Sequence, residues 1–124
     1  MTWAADTSWL YGLFDRQDEF HARARDEATD PGVVVVNPMI LAEYLDVVRT
    51  KRGRQASLDA HKALALYPQL RFVEPPKQPA MVRIMERFSS ISWHDASAIA
   101  TALDEGAGLR TFDKDQRKAF EALR

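Results

Sequence analysis

Cysteine is missing from the 124 residues. That excludes disulfides, thiolate zinc sites and cysteine nucleophiles. No run of about 18 apolar residues exists, so no segment reads as a membrane span and no membrane partner is expected. The N-terminal MTWAADTSWLYGLFDRQDEF lacks a basic stretch and carries acids early. It does not read as a secretory leader, and cytoplasm is the expected location. Net charge is small, at −1, whereas a strongly basic chain would announce a nucleic-acid partner by composition. A Gly-rich phosphate loop and a Gly-x-Ser-x-Gly elbow are also absent. With no repeat, low-complexity tract or linker, residues 1–124 read as one domain long enough to bury a core.

What is present is an alternation of apolar runs and helical patterns. Trp3 to Asp6 is a short candidate strand, poor in branched residues because of Ala4 and Ala5. A helix follows from about Thr7, and a second over Asp18 to Ala28 ends at Asp30-Pro31-Gly32. VVVV (33–36) has the pattern of a buried parallel strand. Asn37 and Pro38 then supply the N-cap and first position of a helix that runs to Gly53. A helix over Ser57 to Tyr67 precedes the strand LRFV (70–73). Helices near Pro79–Phe88 and over SWHDASAIATAL (92–103) lead to the strand LRTF (109–112). Lys114 to Leu123 is the last helix. Strands separated by helices imply an α/β fold with a parallel sheet covered on both faces. In such sheets ligands gather outside the carboxyl ends of the strands.

SWHDASAIATAL places a charge on an apolar arc. At 100° per residue Asp95 falls among Ala96, Ala98, Ile99, Ala100, Ala102 and Leu103. The plain reading is a capping box with Ser92, favoured also by the helix dipole. Three further acids fall at the same edge of the expected sheet. Asp6 follows the first strand and has the alternative of capping a helix. Asp113 follows the fourth and has Gln116 as a box partner. Glu43 borders the buried stripe of its helix and has the alternative of a solvated position. Clustered carboxylates repel and raise one another's pKa unless a cation holds them. An all-oxygen set suits Mg²⁺ or Mn²⁺ rather than zinc. Such a site polarises a phosphodiester and activates water.

DTSWLYGLF (6–14), VVVVNPMILAEYLDVV (33–48), ISWHDASAIATAL (91–103) and LRTFDKD (109–115) together resemble a PIN domain, most of all the VapC-type toxins of bacterial toxin–antitoxin pairs. They occur in the family's order and cover nearly the whole chain. The resemblance implies a three-layer α/β/α fold with a central, mainly parallel four-stranded sheet. It implies a metal-dependent endoribonuclease, with Asp6, Glu43, Asp95 and Asp113 as catalytic and metal-binding acids. Thr7 or Ser8, and Thr111, match hydroxyl positions that support those acids. It also implies homodimers, a cognate VapB-type antitoxin, and structured RNA such as transfer or ribosomal RNA as substrate. Two departures stand out. The first strand, TWAAD, has fewer branched aliphatics than usual, and the chain stops at Arg124, where many members add an edge strand.

The basic run RTKRGR (49–54) offers Arg49, Lys51, Arg52 and Arg54 for RNA phosphates, although cations at a helix end are expected anyway. His94 reads as a surface residue at a helix start rather than a proton shuttle, and His21 and His61 as surface or boundary residues. Trp3, Trp9 and Trp93 read as core or interface residues, with base stacking open to an exposed one. Two other functions compete. One is a PIN-like module that binds RNA or protein but cuts weakly or not at all. The other is a phosphoacceptor domain, whose acidic pair after the first strand is replaced here by Ala5-Asp6; acetyl phosphate labelling would detect it.

Overall fold

The computed structural model describes residues 1–30 and 32–124. Its elements are β1 (Thr2–Ala5), α1 (Thr7–Phe14), α2 (His21–Glu27), β2 (Val33–Val36), α3 (Pro38–Arg52) and α4 (Arg54–Leu66), followed by β3 (Leu70–Phe72), α5 (Gln78–Arg87), α6 (Trp93–Asp104), β4 (Gly108–Arg110) and α7 (Lys114–Leu123). Pro31, which the sequence places in the break after the second helix, lies outside the described residues. No helix is long and apolar enough to cross a membrane among the described residues.

The sheet runs in the order β3-β2-β1-β4, and every pairing is parallel rather than most of them. The chain steps from β1 to β2 to β3 in one direction and then returns across the sheet to β4. Right-handed crossovers therefore put the early helices on one face and the α5–α6 connection on the other. This is the α/β/α layering. It also makes β1 and β4 the switch point, where neighbouring connections diverge and a crevice opens at the strands' carboxyl ends. Asp6 and Thr111 leave the sheet there.

The poverty of β1 in branched residues has a packing reason. Ala4 and Ala5 are 1% and 2% exposed, and α6 lies directly against β1 and β4. The two alanines point to opposite faces of the sheet, so a small side chain lies on each, and the one facing α6 lets that helix approach. Trp3 fills the space on the neighbouring strand instead, because a Cβ on Gly108 would lie 2.4 Å from its ring.

Helix α6 departs from the expected one-sided stripe. Ala96 through Ala102 are all buried, including Ser97 and Thr101, whereas Leu103 is 38% exposed. The helix is enclosed by β1, β4, α3, α5 and α7, so the polar residues on its far side need internal partners. Asn37 supplies them. Its Nδ2 donates to the Ser97 carbonyl at 3.1 Å and to Thr101 Oγ1 at 2.9 Å, while its Oδ1 accepts from the Ile40 N–H at 2.9 Å.

Smaller differences lie at element ends. β4 ends at Arg110, two residues before the expected end of its strand. Thr111 instead turns its hydroxyl into the crevice. Helix α4 starts at Arg54 rather than Ser57, because Gly53 at φ 95° turns the chain sharply and the next helix begins at once. Helix α2 starts at His21 rather than Asp18.

Candidate active site

Asp6 is the most enclosed of the four acids, at 4% exposure. It leaves β1 and caps α1. Its Oδ1 accepts from the Trp9 N–H at 2.9 Å and from Ser8 Oγ at 2.8 Å. Its Oδ2 accepts from Thr111 Oγ1 at 2.6 Å and from Gln116 Nε2 at 3.0 Å. A carboxylate has about four acceptor positions, and all of them are used. Burial pushes its pKa up; the bonds from Thr111, Trp9, Ser8 and Gln116 oppose that without reversing it.

The two hydroxyls that hold Asp6 are themselves held. Thr111 Oγ1 accepts from the Asp113 N–H at 3.0 Å, and Ser8 Oγ from the Phe112 N–H at 3.1 Å. The segment after β4 is thus tied to the start of α1 through Asp6.

Asp95 makes the capping box, with its N–H donating to Ser92 Oγ at 3.2 Å and its Oδ2 accepting from the Ser92 N–H at 3.3 Å. Its other oxygen accepts from Gln116 Nε2 at 3.0 Å. Cap and site use different oxygens. Burial raises its pKa, Ser92 opposes this, and the nearby charges of Asp113 and Glu43 add to it. The Asp95 and Asp6 carboxylates therefore meet on a single amide.

Asp113 caps α7 through the Gln116 N–H at 2.9 Å and is exposed. Only half of the expected capping box forms, since the Gln116 side chain turns inward to Asp6 and Asp95. Glu43 is half-buried on α3. It accepts from Thr7 Oγ1 and lies 3.1 Å from His94 Nδ1. His94 is therefore a partner of an acid rather than a free surface residue.

Four elements thus deliver four acids to one neighbourhood. They do not form a closed ligand shell: among the described residues no three Asp, Glu or His side chains converge as a ready-made metal cluster. Asp6, Asp95 and Asp113 accept from hydroxyl, amide and backbone donors instead, and Glu43 from Thr7, with His94 beside it. A groove of about 390 Å³ runs from Glu43 and His94 along α3 past Asp46, Val47 and Thr50 to Lys51.

Residues 4–121 match the sequence model of the PIN domain. The chain belongs to the PIN domain family. Among solved structures, this PIN domain is similar to the Mycobacterium tuberculosis toxin VapC20, described as cleaving the sarcin–ricin loop. The TM-score is 0.76 at 23% identity, with 94% of each chain covered. It is also similar to PAE2754 from Pyrobaculum aerophilum, with a TM-score of 0.70, 19% identity and 99% and 86% of the two chains covered. VapBC2 from Rickettsia felis, solved on a DNA fragment from its promoter, gives 0.67 at 11% identity, covering 96% and 93%. A comparison with curated proteins found no match.

The basic run of this PIN domain is divided between two helices. Lys51 Nζ sits 4.4 Å from the centre of the Tyr11 ring and borders the groove that leaves Glu43. Arg49 lies 3.6 Å from Asp46. Arg54 opens α4. Arg52 is engaged on the surface, donating to both oxygens of Asp15 at 3.1 and 3.0 Å. The Tyr11 hydroxyl, the Gln17 N–H and Arg52 hold Asp15 at about 2. Its folded pKa is thus below its ordinary value of 3.8, so the stability it contributes is present above that value and is lost as pH falls toward about 2. Asp15→Asn is expected to lower the melting temperature by about 3 °C at neutral pH. The difference should vanish in scans near the lower limit of that window. A loss that stays constant across the window would deny the carboxylate its role.

Two features left little trace in the sequence. Phe20 and Phe112 stack at 4.6 Å beside the site, with the Arg23 guanidinium 5.0 Å from the Phe112 ring centre. Gln116 left a trace that was open to reading: it shares a helical face with Ala119 and Phe120, a polar residue on an apolar stripe, like Asp95 in its own helix.

Proposed function

We propose that this PIN domain is a divalent-metal-dependent endoribonuclease, the toxin of a VapBC-type pair, acting on structured RNA such as transfer or ribosomal RNA. The observation that carries this reading is the meeting of Asp6 and Asp95, from β1 and α6, on one amide at the switch-point crevice, with Glu43 and Asp113 beside them. The donor set fits a hard cation. It is all oxygen, and its two inner carboxyls are raised in pKa by burial.

Asp6 and Asp95 would hold the ion, Mg²⁺ or Mn²⁺, with Glu43 and Asp113 completing the site. Bound there, such a cation polarises the scissile phosphodiester and lowers the pKa of a water. Thr111 and Ser8 fix the carboxylate plane of Asp6. Thr7 and His94 fix Glu43. Lys51, at the far end of the groove, would meet a neighbouring phosphate, and Arg49 and Arg54 would add attraction at longer range. The likeness to VapC20 and to the VapBC2 complex supports a VapB-like antitoxin as partner, and the family resemblance a homodimer.

A second reading, a PIN-like binding module with little cleavage, draws on one observation: every acceptor position of Asp6 is already filled. Purified protein incubated with total and transfer RNA separates the two. Cutting in Mg²⁺ or Mn²⁺ and none in EDTA is the expected result. Intact RNA in all three, with no Mn²⁺ binding by calorimetry, would favour the binding module.

A further inference from the structure

Asp6, Asp95 and Asp113 have no Lys or Arg within ion-pair distance among the described residues. Something else must keep two inward-facing carboxylates together without a cation, and Gln116 does so. It is 1% exposed, and its Nε2 donates at 3.0 Å to Asp6 Oδ2 and at 3.0 Å to Asp95 Oδ1. The orientation of the amide is fixed by chemistry: the reverse would aim a carbonyl at two carboxylates.

The four donors to Asp6 are not equally bound to the rest of the fold. The Trp9 N–H belongs to the first turn of α1. Ser8 Oγ also accepts from Phe112, and Thr111 Oγ1 also accepts from Asp113. The Gln116 amide hydrogen-bonds to nothing beyond the two acids, and its Oε1 is buried without a partner. Withdrawing it breaks those two hydrogen bonds and no third. A buried, unsatisfied carbonyl is unfavourable wherever it occurs; here it is the other end of a group pinned between two carboxylates.

We propose that the Gln116 amide occupies the cation position of the acid pocket. In the cation-free protein it clamps Asp6 to Asp95, and a divalent ion has to displace it to bind. The proposal rests on the reading of these acids as a metal site. It makes Gln116 a positioning residue that sets how readily the site loads. Apparent affinity is the intrinsic affinity multiplied by the fraction of molecules with the pocket open.

Mn²⁺ titration calorimetry on the wild type and on Gln116→Met, which keeps the length and loses both polar atoms, tests it. The variant is expected to bind Mn²⁺ about tenfold more tightly, as for an amide that fills the pocket about nine-tenths of the time. Its cation-free melting temperature should fall, and its gain on saturation with Mn²⁺ should exceed the wild type's. Equal affinity would overturn the proposal. Weaker affinity would also overturn it, since Gln116 would then be a ligand through Oε1. If neither protein binds Mn²⁺, the metal-site reading falls and this one with it. Binding by the variant alone supports both.

If the variant does not fold, the wild type decides. The Gln116 side-chain amide protons should be protected from exchange in the cation-free protein and should lose that protection in saturating Mg²⁺. Protection unchanged by Mg²⁺ would overturn the proposal.

Discussion

Asp95→Asn is expected to remove cleavage by about a thousandfold or more and to leave the protein folded. The substitution keeps the shape of the side chain and its place at the third position of α6. One of two oxygens becomes a donor, so either the Ser92 N–H or the Gln116 amide loses its acceptor. Against that, a carboxyl whose pKa is raised by burial no longer has to be ionised. The two changes oppose each other, and net stability should move by no more than about 1 kcal/mol. The measurement is RNA cleavage in Mg²⁺ and Mn²⁺ beside a melting curve. Thr111→Val is the graded control: it withdraws one donor from Asp6 and one acceptor from the Asp113 N–H but no charge, and belongs in the range of about 10- to 100-fold for a group that orients a ligand. If Asp95→Asn keeps activity within tenfold of wild type, the carboxylate is a helix cap and no more.

The acids were legible because the patterns that place them are local. A residue directly after a strand, or at the third position of a helix on its apolar arc, can be located once strand and helix are known. Asp6, Asp95 and Asp113 are all of this kind; Asp6 and Asp113 are also N-caps, and Asp95 is also the acid of the Ser92 capping box. The two readings did not compete, because a carboxylate has enough acceptor positions to serve a backbone N–H and a second partner. Glu43 was placed by the edge of its helical stripe, where it sits half-buried. What escaped depends on contacts between distant segments. Gln116 is 110 residues from Asp6 in the chain, and its spacing to Asp113 spoke for a capping box. Its side chain turns inward because one buried and one half-buried carboxylate without a cation attract a donor more strongly than one exposed cap does. The partnership of His94 with Glu43 likewise required knowing that α3 and α6 lie side by side. The inner arc of α6 failed at Leu103 for a related reason. Periodicity assumes one solvent face, and an enclosed helix has none along Ala96–Ala102.

Asn37→Ala is expected to be the most damaging single change outside the apolar core. Asn37 is 1% exposed, and its side chain bonds in two directions. Its Oδ1 caps α3, a contribution of about 1 kcal/mol. Its Nδ2 crosses to the Ser97 carbonyl and Thr101 Oγ1 on α6, both bonds being buried. Truncation leaves buried groups on both helices short of partners, and the total loss should be about 3 kcal/mol in urea unfolding. Asn37→Ser separates the two halves, because serine caps as well as asparagine but is too short to reach α6. It should recover about 1 kcal/mol and no more. The same amide ties the helix of Glu43 to the helix of Asp95, six residues along from Asn37 on one side and two before Ser97 on the other. Both variants, assayed where they remain folded, should therefore cut RNA about tenfold more slowly or worse, since small misplacement of a catalytic group has large kinetic effects. Full activity in a folded Asn37→Ser protein would mean that the sheet alone sets the distance between the acids and that the bond to α6 serves stability only.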